Sequence, residues 1–86
     1  MDRRVRLLLK ALKDGGWHGK ILQKAVTVGV VEAAVHLRLI EVKRIGIRGT
    51  RNSRGFYRIT GHGRAALSAG WYPSREDVSE AIRLVM

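Results

Sequence analysis

The chain has no cysteine, a single proline, few aromatic residues and only seven acids among 86 residues. Each shortage closes a class of explanation. Without cysteine there is no disulfide framework, no thiolate nucleophile and no zinc–thiolate site. With one proline and 45% hydrophobic residues, the chain reads as one small folded domain rather than a disordered tail. No apolar run approaches the roughly 20 residues of a membrane-spanning helix. The opening MDRRVRLLLKALKDGG is basic and then apolar, as a signal peptide would be. Lys10 and Lys13 interrupt its apolar part and no small-residue cleavage site follows, so it is expected to be a helix of a cytoplasmic protein. Serines and threonines stand in no arrangement with a base and an orienting acid. Gly61-His62-Gly63 is too short for a nucleotide-binding fingerprint. An enzyme is not expected, nor a cofactor.

What the chain has in excess is positive charge, 17 Lys and Arg for a formal net charge of +10. A surplus of that size on so small a body attracts polyanions, nucleic acid foremost. The charge is also unevenly placed. No acid occurs from Val42 to Arg75, a stretch holding Lys43, Arg44, Arg48, Arg51, Arg54, Arg58, Arg64 and Arg75.

Asp2 can cap a helix whose apolar positions Val5, Leu8, Leu9 and Leu12 recur at helical spacing, with Gly15 and Gly16 as its stop. A second helix is expected over about Gly19 to Val26, and a third, apolar on much of its circumference, over about Val30 to Glu41. The break at Thr27-Val28-Gly29 between them suits a helix-turn-helix arrangement. The period then changes to two. Ile45 and Ile47, then Tyr57 and Ile59, alternate with other residues on both sides of a glycine-bounded arginine loop, which predicts an antiparallel hairpin. Thr60 can cap a fourth helix ending at Gly70. Ser74 and Asp77 can open a fifth, with Val78, Ala81, Ile82 and Val85 on one face.

Two stretches resemble known regulators. GFYRITGHGRAAL (Gly55 to Leu67) is similar to the second wing strand and following helix of MarR-like and PadR-like transcriptional regulators. LLLKALKDGGWHGKILQKA (Leu7 to Ala25) resembles their first helix, Gly-Gly-Trp turn and second helix. The resemblance covers about Val5 to Leu67. It implies an α+β, mostly helical winged helix-turn-helix fold: a three-helix core, a hairpin wing and C-terminal helices. Residues 1–70 would form that domain and 71–86 a C-terminal helix for packing or dimerisation. It also implies binding of double-stranded DNA, the third helix in the major groove and the wing along the backbone or in the minor groove. In one respect the chain departs from the pattern: the stretch matching the recognition helix is poor in long polar side chains.

The expected DNA contacts follow from these placements. On the wing they are Arg48, Arg51, Asn52, Ser53, Arg54 and Arg58, since arginines can take phosphates bidentately or enter a narrow minor groove. A hairpin without acids reads as a contact rather than a solvated turn. On the helices they are His18, Lys20, Thr27, Gly29, Glu32, Ala33, His36 and Lys43. His18 and Lys20 would clamp a phosphate at the second helix's N-terminus, or simply be solvated there. Val30 and the others on the third helix offer few donors for base edges, so weak direct readout and plain packing stay open together. Glu32 could accept from a cytosine amino group. Glu32 and His36, four apart, have a metal-compatible spacing, but a surface pair explains them better. For Val78, Ala81, Ile82 and Val85 a two-fold dimer contact is favoured over packing on the first helix. The expectation is thus a homodimeric, nucleoid-associated regulator. An RNA-binding or ribosome-associated winged helix and a protein-interaction winged helix are the alternatives.

Overall fold

In the computed structural model, which describes residues 1–46 and 54–86, local signals account for where the helices begin. Helix α1 (Arg3–Ala11) starts at Asp2, whose carboxylate accepts the backbone N–H groups of Arg4 and Val5. Those donors would otherwise be unpaired. Val5, Leu8, Leu9 and Leu12 are fully buried, the stripe that the spacing predicts.

The second helix expected over Gly19 to Val26 does not form. His18 instead exchanges both backbone hydrogen bonds with Tyr57, at 2.9 Å each. Gln23 and Val26 then close on one another at 3.2 and 3.0 Å in a tight turn. The apolar residues that suggested a helix are divided by this turn: Ile21 and Val26 enter the core while Leu22 faces outward. The chain between the His18 bridge and the Thr27 cap is taken up by this turn and its flanks. Two helices, not three, therefore precede the hairpin, and no helix-turn-helix pair is present among the described residues.

Helix α2 (Val28–His36) is capped by Thr27 as expected, but it stops well before Glu41. Arg38 adopts a left-handed backbone, φ 62°. The N–H of Arg38 donates to Val35 O and that of Leu39 to Ala34 O, both at 3.0 Å. This is the Schellman ending, with arginine where glycine is usual and the buried Leu39 as its apolar partner. The turn delivers the chain into strand β1 (Ile40–Ile45), which pairs antiparallel with β2 (Arg54–Ile59). Ile40 lies opposite Ile59 and Ile45 opposite Arg54. Burial falls along β1 from Ile40, in the core, to Lys43, Arg44 and Ile45, all exposed.

Helix α3 (Gly61–Ala69) begins at Thr60 and ends at Gly70, left-handed at φ 82°. The Thr60 hydroxyl accepts from Gly63 N at 2.9 Å and lies 2.7 and 3.0 Å from the carbonyl oxygens of Arg38 and Leu39. Here a glycine is required by space: a Cβ on Gly63 would stand 2.0 Å from the Leu39 carbonyl oxygen. Helix α4 (Arg75–Val85) opens on a reciprocal Ser74–Asp77 capping box and packs chiefly along α2. Val78 and Ala81 are buried there. The chain is thus a small α+β domain, mostly helical, with four helices and a two-stranded antiparallel hairpin among the described residues. None of those helices is long and apolar enough to cross a membrane.

Candidate nucleic-acid interface

The register divides the hairpin's side chains between two faces. Ile40, Val42, Tyr57 and Ile59 turn toward the body of the molecule. Glu41, Lys43 and Ile45 share the other face with Arg54, Phe56 and Arg58. Because His18 pairs with Tyr57, its neighbour Trp17 falls on this second, outer face. Lys43 Nζ lies 4.8 Å and Arg58 Cζ 4.5 Å from the centre of the Trp17 ring. Each such contact at a partly exposed site is worth about 0.5–1 kcal/mol. Arg58 Nε also donates to Glu41 Oε1. One aromatic ring and one carboxylate therefore hold two cations on the outer face, while Arg54 stands exposed at the start of β2.

Arg48, Arg51, Asn52 and Ser53, the expected tip contacts, lie outside the described residues. Arg54, Arg58 and Lys43 are brought together on the outer face. The helix residues fare differently. With no helix after Gly19, no helix N-terminus backs His18 and Lys20. His18 pairs through its backbone with Tyr57, and its Nε2 lies 2.9 Å from Asp14 Oδ1. That contact, helped by the Gly16 N–H, holds the Asp14 carboxyl below its ordinary range. Lys20 is exposed in the irregular segment.

Thr27 is occupied as the cap of α2, its Oγ1 facing Val30 N. Ala33 and Val30 are fully buried, so neither can meet a base. Gly29 faces α4: a Cβ there would lie 3.5 Å from Ile82 Cγ2. These expectations took the wrong side of an apolar helix for its accessible one. The accessible stripe of α2 is Val28, Glu32 and His36, spaced by single turns. It carries no arginine, lysine, asparagine or glutamine to read base edges.

The dimer face also needs correcting. Val78 and Ala81 are buried within the chain's own core, against α2 rather than α1. Ile82 packs at the margin of that core and Val85 is half-buried. Sequence reasoning missed Trp17 as part of the outer face, and Glu41 as the partner of Arg58. The one available signal was Glu41 itself, the last acid before the long basic stretch.

Beside the hairpin, two depressions meet at Gly19, Lys20 and Gly55. One, of about 550 Å³, opens toward Arg54 and Phe56. The other, of about 410 Å³, runs between the irregular segment and α2, lined by Ile21, Leu22, Val28, Val31, Glu32 and Tyr57. Glu32 has no hydrogen bond or ion pair to another described residue. Among the described residues no group of three or more histidines and acids is close enough to hold a metal ion. Compared with protein-family models, curated proteins and solved structures, the chain gives no match.

Proposed function

We propose that this chain binds double-stranded DNA through the outer face of its hairpin, gripping phosphates and reading sequence weakly. The observation that carries the reading is the gathering of Lys43, Arg54 and Arg58 on one face, two of them steadied over Trp17. A cation held by an aromatic ring loses less freedom when it meets a phosphate, so it binds better than a free one. The charge balance supports the same partner: +10 overall, with three of the seven acids, Glu76, Asp77 and Glu80, on α4. That helix has no substantial packing with the hairpin. Arg48 and Arg51 would extend the contact by virtue of their place in sequence. The accessible stripe of α2 supports modest specificity, since it offers no bidentate donor to a base pair.

The order of helices around a hairpin supports a winged-helix relative that lacks one helix of the reading head, acting as a regulator or as an architectural protein. A homodimer would use Ile82 and Val85 with the exposed Met86, since Val78 and Ala81 are already occupied.

The test is fluorescence anisotropy of a random-sequence duplex across salt concentrations. Affinity should fall with a log–log slope of about 0.9 for each phosphate neutralised. A flat response to salt, or no binding at low salt, would overturn the reading.

A further inference from the structure

The groove between the irregular segment and α2 has a chemistry that phosphate binding does not explain. Its mouth, where it meets the neighbouring depression, carries Lys20 and, just beyond, Arg54. Its interior is apolar and aromatic, from Ile21, Val28, Val31 and Tyr57. On the α2 side stands Glu32, a carboxylate with no partner among the described residues. An anion in that place repels phosphate and weakens any polyanion that merely lies across the face. A carboxylate accepts hydrogen bonds and donates none, so whatever enters must bring N–H or O–H groups to it.

Resting on the duplex-binding reading above, we propose that this groove takes one extrahelical nucleotide of the bound DNA. Its base lies against Tyr57 and the aliphatic floor, its amino edge meets Glu32, and its phosphate meets Lys20 and Arg54. The size fits: about 410 Å³ lies within the roughly 300–1,000 Å³ of small-ligand clefts and is far too small for a duplex. The polarity fits as well, cationic where a nucleotide is anionic and anionic where an amino-bearing base is a donor. A base turned out of the stack is commonly read by hydrogen bonds to its Watson–Crick edge and by apolar side chains on its faces.

The choice of base follows from the donors. Guanine presents N1–H and the N2 amino group side by side, which suits both oxygens of one carboxylate. Adenine and cytosine present one amino group beside an acceptor. Thymine presents a single N–H between two carbonyls that repel Glu32. The expected order is guanine first, adenine and cytosine next, thymine last.

The experiment compares four duplexes by anisotropy: fully paired, and with a single bulged guanine, cytosine or thymine. The wild-type chain should bind the guanine bulge about tenfold more tightly than the thymine bulge, the scale of one charge-assisted hydrogen bond pair. Glu32→Gln, whose amide both donates and accepts, should abolish that preference while keeping the wild-type melting temperature. Equal affinity for the guanine and thymine bulges, with the paired duplex still bound, would overturn the groove assignment and leave the duplex reading intact. A guanine preference that survives in Glu32→Gln would overturn the role of Glu32. Failure to bind any of the four would instead sink the duplex reading on which the assignment rests.

Discussion

Along α4 several charges serve the helix that carries them. Glu76 and Asp77 lie in its first turn and Arg83 in its last, each complementing the helix dipole, and Asp77 closes the capping box. Along the hairpin, Lys43 and Arg58 are held over Trp17, but most of the charge has no such return. Lys43, Arg44 and Arg54 are exposed toward its far end, and the only acid on either strand, Glu41, answers Arg58 near the base. Strand pairing gains nothing from cations that face no anion. That difference is the one the proposed duplex contact would use: a helical body that answers much of its own charge, and a hairpin that answers less of it.

The comparison breaks most severely at the joint between the two. Gly63→Ala would drive a methyl group into the Leu39 carbonyl oxygen, which is backbone and cannot swing aside. A cost of at least about 3 kcal/mol is expected. The melting temperature should fall by roughly 12 °C or more, or cooperative unfolding should be lost altogether. A near-normal melting curve would show that α3 is not locked to the base of β1.

Lys43→Ala with Arg54→Ala should do the converse. The salt slope of duplex binding should drop by about 1.8, with stability changed by no more than about 1 kcal/mol. An unaltered slope would remove the described part of the hairpin from the contact.

On the helical side, pH is the lever. Burial alone would raise the Asp2 carboxyl, but the Arg4 side chain and the Val5 and Arg4 N–H groups together hold it below its ordinary value. A carboxyl depressed in the folded state stabilises the protein above its unfolded pKa, near 3.9. That contribution is lost as pH falls through the lower folded value. Asp2→Asn keeps a capping oxygen but loses the charge. It should cost about 1 kcal/mol at neutral pH and flatten the loss of stability below about pH 4, read from urea midpoints across pH. A wild-type pH profile in this variant would assign the acid sensitivity elsewhere.

Glu41→Gln sharpens the contrast by removing the hairpin's one internal answer to its charge. Arg58 is then free for phosphate, and the salt slope should rise by about 0.9. A fall in affinity would mean that Glu41 positions Arg58 rather than restraining it. The smallest effect is expected for Arg38→Gly, which relieves a left-handed arginine. Melting temperature should rise by an amount worth up to about 1 kcal/mol. A clear decrease would show that the arginine side chain, not its backbone, matters there.

Much of this architecture was legible because it is local. Asp2, Thr27, Thr60 and the Ser74–Asp77 box all act within a turn of where they stand. The period-two alternation of Tyr57 and Ile59 needs only its own strand. What failed depends on distant partners. Ile21, Leu22, Ala25 and Val26 satisfy a helical period, yet the His18–Tyr57 bridge and the Gln23–Val26 turn satisfy more backbone groups in the space available. A helix as uniformly apolar as α2 does not announce which side faces in, so its sequence alone does not show that Ala33 and Gly29 face the core. That α4 would lie on α2 rather than α1 has no local signature. Neither does the meeting of Trp17 with Lys43 and Arg58, which requires the register of residues far apart in the chain.

The fall in burial along β1, from Ile40 in the core to Ile45 in solvent, has a mechanical meaning. The hairpin is a beam clamped at its base, where Thr60 is the bolt that ties it to α3, and again at Tyr57, where His18 pairs with it. Bending such a beam beyond Tyr57 would move Arg44 and Arg54 through growing arcs while disturbing none of the buried core residues. Phosphates on a duplex follow a curve that changes with sequence and groove width. On the duplex-binding proposal, cations carried beyond the second clamp would conform to that curve at little cost, where a rigidly seated helix would match only one.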